Sequence, residues 1–155
     1  MLSVFNGFEE LNLIYAKKLS PDLKITPRLG LKFNKNSLDT NLFQSPAINY
    51  YVNVLEDNVL LKYNNSQYFA TLRGVSQQYL KSKEIDSVIR AGTFTLHENG
   101  QAYAVIGKGI ENALGIDITQ PIEQIVVLAP KQNSRLNTLD PASSLNTAAI
   151  YASGI

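Results

Sequence analysis

The sequence predicts an α+β chain, and three features lead there. The residues from Val4 to Leu19 carry apolar side chains at helical spacing. The middle of the chain, "INYYVNVLEDNVLLKY" and "YFATLRGV", is rich in branched and aromatic residues that favour strands. Beyond it, "AYAVIGKGIENALGI" alternates strand, turn and helix within a few residues.

In the first segment Val4, Phe5, Phe8, Leu11, Ile14, Tyr15 and Leu19 share a face, Gly7 weakens the helix, and Pro21 ends it. "PDLKITP" reads as a short strand closed by Pro27, and "RLGLKFNKN" as a turn-rich connection. "SLDTNLFQS" combines a serine cap with Leu38, Leu42 and Phe43 on one face, which predicts a short helix. The β segment follows, with a bulge or bend expected at Asp57-Asn58 and a turn at Asn64–Gln67 before "YFATLRGV" returns as the partner strand.

"SQQYLKSKEIDSVIRAG" opens on a capping Ser76, and Tyr79, Leu80, Ile85, Val88 and Ile89 fall in two helical clusters with a break near Ser82. "TFTLHENGQAYAVIG" predicts a hairpin turning at Asn99-Gly100. "KGIENALGI" is a short helix closed by Gly115, and "IEQIVVLAP" a strand stopped by Pro130. "KQNSRLNTLDPASSLN" is polar and turn-forming, hence a loop. "TAAIYASGI" begins another strand where the sequence stops, which reads as an excised fragment.

With 155 residues and 45% of them hydrophobic, the chain can bury a core in one domain or two small lobes. A net charge of +1 is too small to imply the basic footprint of a nucleic-acid binder or an acidic partner. The absence of cysteine excludes thiol chemistry and cysteine-ligated metal, and a single histidine leaves little for acid–base work. No run reaches the ~18 apolar residues of a membrane-spanning helix, and "MLSVFNGFEEL" lacks the basic leader and apolar core of a signal peptide.

The run "GKGIENALG" raises the question of phosphate binding. A P-loop needs Gly-Lys-Ser/Thr, but Lys108 precedes Gly109 and Ile110 stands where the hydroxyl belongs. A dinucleotide fingerprint needs glycine where Asn112 stands. No cofactor is expected, and the glycines are read as backbone devices: Gly107 and Gly109 ease a strand into a helix, and Gly115 ends it. The competing reading is a small-molecule-binding or hydrolytic domain using Gly107–Gly115 and His97. His97, in "LHENG", is expected in a solvated loop, and the acidic and serine residues of "EIDS" and "LDPASS" have no paired catalytic spacing. Neither catalytic nor metal-ligating residues are expected. The length of the loop Lys131–Asn146 makes it a candidate protruding binding element.

Taken in order, "SVFNGFEEL", "PDLKITP", "ATLRGVSQQYL", "AGTF…AVIGKGIENALGI" and "VVLAP" resemble the extracytoplasmic domain of FtsX-like ABC transporter permeases. This family has the MacB-type periplasmic core, and the resemblance lies nearest its lipoprotein-releasing branch and spans essentially the whole chain. It implies a porter-like lobe of βαβ units over residues 1–106, whose first helix continues from a membrane helix, and the start of a smaller, mainly β lobe over 107–155. It implies a periplasmic domain of an inner-membrane protein in a Gram-negative bacterium, with three further membrane helices beyond it. The implied partners are a cytoplasmic ABC ATPase subunit, a second permease subunit, and a periplasmic lipoprotein carrier or exported cargo. The implied action is mechanical: ATP-driven motion reaches a non-catalytic domain that contacts cargo or partners. In the lipoprotein-releasing relatives the loop after the strand matching "IVVLAP" captures the carrier, which implies contacts at Lys131, Arg135, Leu136, Leu139 and Pro141. Family members differ in task, from lipoprotein release to macrolide or peptide export and control of cell-wall hydrolases. A structural adaptor recruiting a cell-wall enzyme shares the fold and differs in partner.

Overall fold

The protein was analysed as a computed structural model, which describes residues 21–30, 32–34, 38–81, 85, 87–119, 123–131 and 141–155. The helix expected over Val4–Leu19 lies outside them. The chain divides into two compact units, Met1–Leu55 with Val75–Val88 and Glu56–Gly74 with Ile89–Ile155. The expected boundary between Ile106 and Gly107 lies within the second.

Among the described residues the fold is α+β and mainly β: one mixed sheet of six strands and one α-helix. The strands are β1 (Val54–Tyr63), β2 (Ser66–Val75), β3 (His97–Glu98), β4 (Gln101–Val105), β5 (Ile125–Pro130) and β6 (Leu145–Gly154), and helix α1 is Lys108–Leu114. Their order across the sheet is β2-β1-β5-β6-β4-β3. β5 runs antiparallel to both β1 and β6, and β4 runs parallel to β6.

The sheet's buried face follows from period-two alternation. In β1 the burial falls on Val59, Leu61 and Tyr63, and in β5 on Ile125 and Val127. The register sets Leu61 beside Val127 and Ile125 beside Ile150, so these residues form one continuous layer. From α1 and its flanks, Ile106, Leu114 and Ile116 join that layer, with Ile110 and Ile118 packed against it. Ile125 and Val59 are 1% and 2% exposed and form its centre. Each such side chain contributes about 1.5–3 kcal/mol on burial. The outer half of β1, Val54–Asn58, is exposed throughout.

Two turns read directly from their residues. Asn99 (φ 50°) and Gly100 (φ 79°) both take the left-handed conformation that a two-residue hairpin turn requires, and they join β3 to β4. Gly115 (φ 70°) ends α1, with its N–H and that of Ile116 donating to the Glu111 carbonyl.

The segment before β3 is tied to the end of β6. The Ile155 N–H donates to the Ala91 carbonyl (2.9 Å), the Thr93 N–H donates to the Ser153 carbonyl (2.8 Å), and Gly92 bridges Gly154. Backbones approach so closely here that a Cβ on Gly92 would lie 2.2 Å from the Ser153 carbonyl oxygen. The Ser153 hydroxyl donates to the Thr95 carbonyl (2.7 Å) and fastens the same segment.

Several expectations are corrected. Residues 21–27 form no strand; Leu23 and Ile25 are exposed, and no neighbour among the described residues supplies the ladder a strand needs. The helix expected in "SLDTNLFQS" is a short 3-10 turn, Thr40–Gln44, capped by Asp39, whose Oδ1 accepts from the Asn41 N–H. Ser76 does not cap with its hydroxyl: that oxygen accepts from the Asn53 N–H (3.1 Å), and a 3-10 turn at Gln77–Lys81 replaces the expected helix. No bulge interrupts β1 at Asp57-Asn58. Glu56 pairs with Arg73 and Asn58 with Thr71, so the hairpin keeps one register through that point to its turn at Asn64-Asn65.

Candidate functional site

The candidate site is the connection between β5 and β6. These strands occupy the middle of the sheet and pair from Ile125↔Ile150 to Pro130↔Leu145. The connection therefore springs from the end of an antiparallel hairpin that β1 flanks along β5, whereas β4 meets β6 beyond that stem, at Tyr151, Ala152 and Gly154. It closes earlier than the sequence suggests: Pro141–Ser144 form a 3-10 turn and β6 starts at Leu145, not after Asn146. The available signal was Pro141, since proline favours the first position of a helical turn.

The neck of the connection is closed by two bonds. The Lys131 N–H donates to the Ser144 carbonyl (2.9 Å), and the Lys131 ammonium donates to the Ser143 carbonyl (2.7 Å). Ser144 is buried beneath this closure, whereas Lys131 is exposed. Lys131 thus binds the two sides of the neck together and keeps its alkyl stem at the surface. The sequence offered no reason to look at Ser143 and Ser144, because their part is played by backbone carbonyls. Arg135, Leu136 and Leu139 lie outside the described residues, and Pro141 is placed as the first residue of the closing turn.

The competing site at Gly107–Gly115 has a different build. Helix α1 has 7 residues, and Gly107 at its N-cap provides no side-chain cap. Lys108, the cation a phosphate would need, is ion-paired with Glu111 one turn along. A Cβ added at Gly107 or Gly109 would meet nothing within 4 Å, and Gly107 has an ordinary φ of −70°. Neither glycine is required by a tight backbone approach or by unusual dihedrals, which corrects the expectation that both ease the strand into the helix. Gly115 alone of the three needs its glycine conformation.

His97 is exposed and lies in β3 opposite Ala102, so it belongs to a short edge strand and not to the loop expected for it. Among the described residues no group of three or more His, Cys, Asp or Glu side chains is arranged to hold a metal, and no helix is long and apolar enough to cross a membrane. Compared with known proteins, the chain matches no protein-family model and no curated sequence.

Proposed function

We propose that this chain is the periplasmic lobe of an FtsX-like ABC transporter permease, acting by contact and movement in lipoprotein release or a related export task. The observation that carries this reading is the β5–β6 connection: a long polar loop on an antiparallel stem in the middle of the sheet's strand order, its neck closed by Lys131. Binding residues concentrate on loops carried by a rigid scaffold. The order of the segments "SVFNGFEEL", "ATLRGVSQQYL", "AVIGKGIENALGI" and "VVLAP" supports the same family.

In this account ATP is hydrolysed by a separate cytoplasmic ATPase subunit, and membrane helices carry the motion to a porter-like lobe and its smaller β companion. Lys131, Arg135, Leu136, Leu139 and Pro141 make the contacts with a periplasmic carrier or cargo. The lobe contributes no bond-making chemistry.

Two observations on the full-length protein test this. The flanking coding sequence is expected to carry apolar runs of about 20 residues on both sides of this stretch. The protein purified from membranes is expected to bring an ABC ATPase subunit with it, and its Arg135→Glu/Leu136→Asp variant to keep that subunit and the fold while losing transport. Flanks without such runs, or unimpaired transport in that variant, contradict the reading.

A further inference from the structure

Among the described residues the sheet ends on one side in an open bonding edge. β2 is the outermost strand there, whereas the opposite edge is the two-residue β3, His97–Glu98, short and polar as protected edges are. β2 runs for ten residues without proline and with one charge, Arg73, which is paired with Glu56 of the same chain at 2.7 Å. Its side chains include Phe69, 79% exposed, with Tyr68 and Leu72 also exposed.

The hairpin register shows which backbone groups are open. The pairs Glu56/Arg73 and Asn58/Thr71 and the turn at Asn64-Asn65 share one register, which puts Ser66, Tyr68 and Ala70 opposite Tyr63, Leu61 and Val59. A two-residue turn closes on a hydrogen-bonded pair, and such pairs alternate along the ladder. The N–H and C=O groups of Gln67, Phe69, Thr71 and Arg73 therefore point away from β1, and no strand among the described residues receives them.

We propose that β2 pairs antiparallel with β2 of a second copy of this chain, about a two-fold axis at Ala70. A two-fold between antiparallel strands stands perpendicular to the sheet, so facing residues must come from the same face of the strand. Centred on Ala70, Phe69 faces Thr71, Gln67 faces Arg73, Tyr68 faces Leu72 and Ser66 faces Gly74. On the core side Tyr68 meets Leu72 and Ala70 meets its own copy, and the two Phe69 rings become diagonal neighbours across the axis, within aromatic reach. Arg73 meets an uncharged glutamine, the two Arg73 side chains lie at opposite ends, and each keeps its own Glu56. No like charges face each other. The outward groups then form roughly eight inter-chain hydrogen bonds.

The strand alone buries less than the ~1,200 Å² of a standard stable interface, so this dimer is reversible and concentration-dependent. The pairing is independent of the transporter reading and uses a different part of the molecule from the β5–β6 connection.

Sedimentation velocity from about 10 μM to about 1 mM brackets the affinities expected for so small an interface. The expected result is a monomer–dimer equilibrium that Phe69→Lys weakens at least ~10-fold, with an unchanged thermal midpoint at concentrations where both proteins are monomeric, because the ring is exposed in the monomer. The chain has no cysteine. Under oxidation Ala70→Cys gives a disulfide-linked dimer, since facing residues outside the hydrogen-bonded pairs approach to ~4.5 Å between Cα atoms. Thr71→Cys does not. A monomer at every concentration, a dimer indifferent to Phe69→Lys, or equal cross-linking at both cysteine positions overturns the proposal.

Discussion

Replacing Gly92 by alanine tests the most constrained contact in the sheet-bearing unit. Two separate penalties apply. Gly92 has φ 76°, where a residue with a Cβ costs about 1–2 kcal/mol. The new Cβ would also sit 2.2 Å from the Ser153 carbonyl oxygen and 2.9 Å from the Gly154 Cα, both backbone atoms that no side-chain rotation can clear. Relief requires the end of β6 to move away, which breaks the Thr93–Ser153 hydrogen bond at a cost of about 1 kcal/mol. The expected total is about 2–3 kcal/mol. Gly100→Ala is the internal control: φ is 79° there, but a Cβ meets nothing within 4 Å, so only the first penalty, about 1–2 kcal/mol, applies. Urea denaturation of both variants, with unchanged slope, measures the difference. If Gly92→Ala costs no more than Gly100→Ala, the close approach of residues 91–93 to the end of β6 is wrong.

Ile125→Ala empties the centre of the core, where the side chain is 1% exposed, and is expected to cost ~2–5 kcal/mol in the same assay. Gly109→Ala lies inside α1 with open space around it, and is expected to stabilise by about 0.5–1 kcal/mol; destabilisation would mean the helix is crowded at that face. Lys108→Ala removes a partly exposed ion pair and should cost no more than ~1 kcal/mol. If α1 holds no phosphate, ATP and inorganic phosphate shift the melting temperature of wild type and Lys108→Ala equally. A shift confined to the wild type would revive the small-molecule reading.

Local chemistry made part of this fold legible. The Asn99-Gly100 hairpin, the end of α1 at Gly115 and the end of β5 at Pro130 each depend on a residue whose backbone preferences act at that position. What failed depended on partners distant in sequence. "PDLKITP" alternates like a strand, yet residues 21–27 have no neighbouring strand among the described residues. Ser76 resembles a helix cap, but its hydroxyl serves Asn53, 23 positions away. The order of strands, with β6 between β4 and β5, could not be read because nothing in a strand's own sequence names its neighbours. At the candidate site the sequence marked a loop after Pro130, while the closure of its neck by Lys131 on two carbonyls became visible only with the fold.

The central claim is that the β5–β6 connection is the contact surface of a membrane-anchored lobe. Its most direct test places a photo-reactive amino acid at Arg135 or Leu136 of the full-length protein in cells, with Gln101 on the β3–β4 hairpin as the comparison position. The account predicts adducts with a periplasmic carrier or cargo from the two loop positions, changing with the ATPase cycle, and none of these from Gln101. Identical adducts from all three positions, or loop adducts only with cytoplasmic proteins, would contradict it.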